Sequence, residues 1–191
     1  MPIKTTNMVV AITGASGAYV AKLLVEKSPW QVSLITSKWG RKVYERECGS
    51  LAELERKAAV VYDDNDLEAA ISSGSVPTAG MVVTPCSCDM LARIANGLAD
   101  TLISRAAHCH LKERRKLILC LRETPLTSID IANAAKLSTA GAVIMPISPP
   151  FYMFGERSPE SITLAEALDA YTSRILDILG HPAESNLEHV L

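Results

Sequence analysis

Six short apolar segments recur along the chain, each followed by a polar turn and then by a stretch with helical spacing. They run from Met8 to Thr13, Gln31 to Ile35, Ala59 to Tyr62, Gly80 to Thr84, Lys116 to Cys120 and Ala142 to Met145. Several are rich in Val and Ile without strict alternation, the pattern of strands covered on both faces. Helical patterns lie between them at Ala18 to Glu26, Trp39 to Glu47, Leu67 to Ser72, Asp89 to Asn96, Leu102 to Cys109 and Ser128 to Leu137. A last helix is expected from about Ile162 to Leu179, stopped by Gly180-His181-Pro182. This alternation predicts a three-layer α/β fold on a doubly wound parallel sheet, one domain over residues 1–191. Ligands of such sheets sit outside the carboxyl ends of the strands, so the turns after strands are where a site should be sought.

Those turns carry small residues, hydroxyls and charges. The first strand runs into Thr13-Gly14-Ala15-Ser16-Gly17, a glycine turn opening a helix, which offers backbone N–H groups and a hydroxyl to an anion. The second is followed by Ser37, the fourth by Ser87-Cys88-Asp89, the fifth by Arg122-Glu123, and the sixth by a Pro-rich loop ending at Tyr152. Together they suit a phosphorylated, planar ligand. The glycine turn lacks the third glycine of a dinucleotide fingerprint, no Gly-Lys-Ser/Thr of a Walker loop occurs, and no tyrosine has a lysine four residues on. Ser37 also reads as a helix N-cap. The run Lys112-Glu113-Arg114-Arg115-Lys116 reads as a solvated face or, joined by Arg105, as an anion clamp.

Bulk properties bound the partners. A net charge of −2 gives no overall basic field for nucleic acid or an anionic membrane. No apolar stretch approaches the roughly 18 residues that span a bilayer. Five cysteines, an odd number without framework spacing, and no signal peptide at the start point to free thiols in the cytoplasm. Cys86, Cys88, His108, Cys109 and His110 fit no usual zinc spacing, so no metal is expected.

The segments ITGASGA (12–18), ISSGS (71–75), PCSCDMLARIANGLAD (85–100), SRAAHCHLKERRKL (104–117), LRETPL (121–126), GAVIMPISPPFY (141–152) and SRILDILG (173–180) resemble the UbiX flavin prenyltransferases. The likeness runs from about residue 8 to 180, in the family's order. It implies a flavodoxin-like Rossmann fold, a homo-dodecamer built from trimers, and FMN and a dimethylallyl phosphate as ligands. The implied reaction joins the prenyl unit to N5 and C6 of reduced FMN without a metal. Its product is the cofactor of a UbiD-type decarboxylase.

By the same resemblance, Gly14, Ala15 and Ser16 lie against the flavin and the reacting phosphate, and Ser37 holds the FMN phosphate. Ser87, Cys88, Asp89 and Met90 line the isoalloxazine. Arg122 contacts FMN, Glu123 is the acid toward the departing phosphate, and Glu47 matches an active-site glutamate. Arg105, Lys112, Tyr152 and Arg174 grip the prenyl phosphate, some from a neighbouring subunit. Two departures stand out: Asp89-Met90 replace the family's Lys-Thr, and the stretch from Met153 to Ala170 is about six residues longer than usual. The rival readings are a flavin-dependent cysteine decarboxylase, which would place His108 or His110 against the flavin, and a flavin-binding accessory subunit without chemistry of its own.

Overall fold

The computed structural model describes residues 7–148 and 150–181. Six parallel strands form one sheet: β1 (Asn7–Ile12), β2 (Gln31–Thr36), β3 (Val60–Asp63), β4 (Met81–Cys86), β5 (Leu117–Leu121) and β6 (Val143–Ile144). Their order is β3-β2-β1-β4-β5-β6. The five strands from β2 to β6 repeat the flavodoxin order, and β3 extends the sheet at one edge, where Val60 and Val61 are exposed. The order in which strands are added to the sheet reverses between β1 and β4, and that is where the sheet opens a crevice for a ligand.

Among the described residues six α-helices connect the strands, α1 (Tyr19–Lys27), α2 (Lys38–Cys48), α3 (Leu51–Glu55), α4 (Cys88–Ala95), α5 (Leu102–Lys112) and α6 (Ser128–Thr139), and α7 (Leu164–Leu179) follows the last strand. One core lies under α1, α2 and α7 and includes Val20, Leu24, Tyr44, Ile175 and Leu176. The other lies under α4, α5 and α6 and includes Leu91, Ile94, Ile103, Ala106 and Leu137. From Met8 to Ile12, β1 is fully buried between the two, as its unbroken apolar run requires.

Differences from the sequence reading have local causes. β4 continues through Pro85 to Cys86 because the β4–β5 register shifts between Val83 and Cys86, so the missing Pro85 N–H breaks no regular ladder. The helix expected over Leu67 to Ser72 shrinks to a single 3-10 turn, Ala70–Ser72, since Leu67 is exposed and only Ala69 and Ile71 are buried there. The short α3 went unread. Gly49, at φ 88°, breaks the chain out of α2, and Leu51 and Leu54 then bury one turn apart. The longer link before α7 folds into two 3-10 turns, Phe151–Phe154 and Pro159–Ser161, and α7 starts from a capping box between Thr163 and Glu166. Gly180 closes α7 in the left-handed conformation, while Pro182 lies outside the described residues.

His110 is 2% exposed; its Nδ1 meets Ala106 O at 2.7 Å and its Nε2 meets Thr78 Oγ1 at 2.7 Å. Burial holds the imidazole below its ordinary value of 6.5, with Arg115 lowering it further and the Ala106 carbonyl raising it. The unfolded chain therefore takes up a proton more readily than the folded one. Stability is full above pH 6.5 and falls as pH drops from there towards the folded value. Melting temperatures between pH 5 and 8 should show that decline, and His110→Asn should flatten it.

Candidate functional site

The carboxyl ends of β1, β2, β4 and β5 assemble one rim around the β1–β4 crevice. Thr13, 2% exposed, ties its two sides together. Its Oγ1 donates to Pro85 O at 2.7 Å and accepts from Ser87 N at 2.9 Å, and its N–H donates to Pro85 O at 3.2 Å. The β1 turn and the start of α4 are thus held as one unit. Sequence reading noted Thr13 only as part of the turn.

In that turn Ala15 N donates to Thr13 O at 2.9 Å. Gly17 N donates to the Glu47 carboxylate at 2.9 and 3.2 Å, and Ala18 N donates to Glu47 Oε2 at 2.8 Å. A carboxylate from the last turn of α2 therefore caps the positive start of α1. This narrows what the turn offers a ligand. The N–H groups of Gly14 and Ser16 and the Ser16 hydroxyl take no partner among the described residues. Gly17, at φ +98°, also lies under Ile147 of the β6 exit; a Cβ there would stand 3.0 Å from Ile147 Cδ1.

Ser37 caps α2, its Oγ accepting from Gly40 N at 3.0 Å, and stays half-buried at the rim. Two residues on, Trp39 is 62% exposed, with Lys42 Nζ 4.5 Å above its ring. A Cβ on Gly14 would come within 2.7 Å of Trp39 Cβ, so Trp39 walls the turn directly. The sequence signal was available: Trp39 stands directly after Ser37-Lys38, off the apolar side of α2 that carries Val43 and Tyr44.

Ser87 caps α4, accepting from Met90 N at 3.3 Å. Met90 departs from expectation. It is 4% exposed and packs in the core under α4, because the α4 apolar stripe includes it with Leu91 and Ile94. Asp89 points outward, 74% exposed at its side chain, and pairs with Arg93 at 3.0 Å. Arg93 also holds Asp100 at 2.7 Å. The Cys88 thiol is pushed up to about 12, first by burial, then by its hydrogen bond to Asp130, then by the charges of Asp130 and Glu123. That disfavours the thiolate near neutrality.

Arg122 N donates to Cys86 O at 3.0 Å, and the half-buried guanidinium takes no partner among the described residues. Glu123 is exposed and accepts from Thr124 N at 3.0 Å. An unpaired cation and a carboxyl thus stand across the crevice from the free donors of Gly14 and Ser16. Such a rim fits a flavin phosphate and a second, reacting phosphate.

The remaining expected residues are not brought to this rim. Arg105 Nε donates to Ser72 O at 3.0 Å on the outer side of α5. Lys112 ends α5 at the amino ends of the strands, paired with Glu113 at 2.8 Å, and lines a hollow of about 460 Å³ with His108 and Arg114. Arg174 lies on the exposed side of α7, 3.9 Å from Asp177. Tyr152, 57% exposed, sits in the 3-10 turn beyond β6. A second hollow, about 550 Å³, opens beside Ser37 between Lys38, Arg41, Tyr62 and Asp63. Neither His108 nor His110 faces the crevice. Among the described residues no three His, Cys, Asp or Glu side chains gather to hold a metal, and no helix is long and apolar enough to cross a membrane.

Comparisons with known proteins follow the same outline. The family described as Flavoprotein matches residues 2–178. The flavin prenyltransferase UbiX of Deinococcus radiodurans is 42% identical over 183 residues, covering 94% of this chain and 91% of that protein. A crystal structure of AnUbiX (PadA1) with FMN and dimethylallyl pyrophosphate superposes with a TM-score of 0.83 at 37% identity, over 92% of this chain and 93% of that one. The dodecameric FMN-dependent UbiX-like decarboxylase of Escherichia coli O157:H7 gives 0.82 at 38% identity, over 91% and 94%.

Proposed function

The chain belongs to the UbiX flavin prenyltransferases within the flavoprotein family, and on that footing we propose that it joins a dimethylallyl group to N5 and C6 of reduced FMN. The observation that carries this reading is the crevice itself. Free N–H donors of Gly14 and Ser16 lie on one side and the unpaired Arg122 with Glu123 on the other, in a chain that superposes on a relative holding FMN and a prenyl pyrophosphate. Bound reduced FMN supplies the two nucleophilic atoms.

The chain's own residues do the rest. Ser37 and the β1 turn hold the FMN phosphate, and Ser87, Cys88, Asp89 and the wall of Trp39 border the ring. Arg122 balances charge beside it. Glu123 gives its proton to the departing phosphate, so the leaving group goes as the protonated anion. Fixed cations and N–H donors stabilise the charge that develops on that phosphate. Glu47, bound to Gly17 N and Ala18 N, keeps the turn in the shape that presents Ser16.

Lys112, Arg105, Tyr152 and Arg174 grip the prenyl phosphate. Lys112 ends α5 at the opposite end of the sheet from the rim, so it serves the crevice of a neighbouring copy. A dodecamer like that of the Escherichia coli relative provides such neighbours. The product passes to a UbiD-type decarboxylase, and the enzyme works in the cytoplasm. The placement of His108 and His110 away from the crevice speaks against a cysteine decarboxylase.

The test is anaerobic. Purified protein, reduced FMN and dimethylallyl monophosphate are mixed and the flavin is weighed by mass spectrometry. A flavin heavier by one prenyl unit supports the reading. Bound but unmodified FMN, with mono- and diphosphate donors alike, overturns it in favour of an accessory subunit. Lys112→Ala should raise KM for the prenyl phosphate about tenfold while leaving FMN affinity within about twofold, as expected for one lost charge-assisted contact. An unchanged KM would remove Lys112 from the site.

A further inference from the structure

The stretch from Ser72 to Thr78 has no part in the reading above, yet α5 and the residues after it hold it along its whole length. Arg105 Nε and Cys109 Sγ both donate to Ser72 O, at 3.0 and 3.1 Å. The Arg115 guanidinium forks, Nη2 donating to Gly74 O at 2.6 Å and Nη1 to Val76 O at 2.6 Å. His110 meets Thr78 at 2.7 Å. Both Arg115 terminal nitrogens are spent on backbone carbonyls, whereas Arg105 gives only its Nε to this loop.

What the loop carries is Lys112. Gly74 is buried, and a Cβ built on it would stand 2.7 Å from Lys112 Nζ and 2.4 Å from Glu113 Oε1. The ammonium and the Glu113 carboxylate that pairs with it at 2.8 Å therefore both rest directly on the Gly74 backbone. Any shift of Gly74 moves the charge. The Arg115 fork is what fixes Gly74, because it grips the carbonyl of that residue and the carbonyl two residues on.

We propose that Arg115 is a positioning residue for the prenyl-phosphate site: by forking onto Gly74 O and Val76 O it sets the surface on which Lys112 rests, and so the point where the ammonium meets the donor phosphate. This rests on the reading of Lys112 as a phosphate-gripping residue. Arg115 acts through geometry and not through its charge. A lysine there keeps the charge but cannot make two divergent bonds from one planar group.

The experiment measures KM for dimethylallyl monophosphate, kcat and FMN affinity under anaerobic conditions with reduced FMN. It compares wild type, Arg115→Lys, Gly74→Ala and Lys112→Ala. Arg115→Lys should raise KM about tenfold although the charge is retained, with kcat and FMN affinity within about twofold of wild type. Gly74→Ala keeps the fork and meets only the tips of two flexible side chains, so it folds; it should raise KM about threefold by lifting Lys112 from its seat. If Arg115→Lys does not fold, Gly74→Ala decides alone. Wild-type KM in Arg115→Lys or in Gly74→Ala, beside a raised KM in Lys112→Ala, would overturn the positioning role while the prenyltransferase reading stands. Loss of kcat and FMN affinity together in Arg115→Lys would overturn it in favour of a general structural role. A wild-type KM in Lys112→Ala, or no prenyl transfer by wild type, would remove its premise.

Discussion

Glu123→Gln is expected to slow prenyl transfer by about 10²-fold to 10³-fold while FMN binding stays as it was, the range of a lost general acid. The substitution separates shape from chemistry. Glutamine keeps the volume of the side chain, and its Oε1 can still accept from Thr124 N, the one bond the carboxyl makes among the described residues. The backbone of the β5 exit, anchored through Arg122 N to Cys86 O, has no reason to move. What disappears is the proton offered to the leaving phosphate. Without that proton the phosphate must leave as a more highly charged anion, which raises the barrier. Single-turnover mixing of enzyme-bound reduced FMN with dimethylallyl monophosphate gives the rate, and a separate flavin titration gives the affinity. A wild-type rate in Glu123→Gln would remove the acid role. Weakened FMN binding of the same size as the rate loss would make Glu123 a flavin contact instead.

The fold was legible because its strands are buried on both faces. Met8 to Ile12 can be apolar at every position only if helices cover both sides, and the polar turns after β1, β2, β4 and β5 had to share one rim once the strands ran parallel. The resemblance added roles to those turns. What could not be read depends on contacts across space. Glu47 lies some thirty residues from Gly17 in sequence and meets it only because α2 folds back over the start of α1. Met90 sits in the first turn of α4, next to the rim, yet helical spacing rotates it into the core with Leu91 and Ile94. Lys112 and Ser16 belong to one proposed chemistry but stand at opposite ends of the same sheet, a separation set by the direction of α5. Trp39 was visible as a residue and invisible as a wall, since only the close approach of Gly14 to its Cβ gives it that position.

That close packing of α2 on the end of β1 makes Gly40→Ala the most damaging single methyl this rim can receive. Helix propensity alone argues the other way: alanine for glycine inside a helix gains about 1 kcal/mol. Sterics win. A Cβ on Gly40 would lie 2.3 Å from Ile12 O and 2.8 Å from Ile12 C, backbone atoms at the end of a fully buried central strand. Those atoms cannot turn aside as a side-chain tip can. Ile12 O also accepts from Ser37 N at 3.0 Å, and the new methyl would stand 3.1 Å from Ser37 Oγ, the atom that caps α2 through Gly40 N. Relief requires α2 to move off β1, which loosens the cap, displaces Trp39 from Gly14 and opens the proposed FMN phosphate site. The net cost is about 2–4 kcal/mol, overpacking and a weakened cap outweighing the propensity gain. For a chain of this size that lowers Tm by roughly 5–15 °C. FMN affinity should fall as well, measured at a temperature where the variant is folded. Gly49→Ala is the matched control. Nothing lies within 4 Å of its Cβ position, so only the backbone strain of φ +88° remains, about 1–3 kcal/mol, and flavin affinity should be unchanged. Equal melting temperatures for Gly40→Ala and wild type would mean that α2 shifts freely on β1, and the Ser37 site would then lose its rigid support.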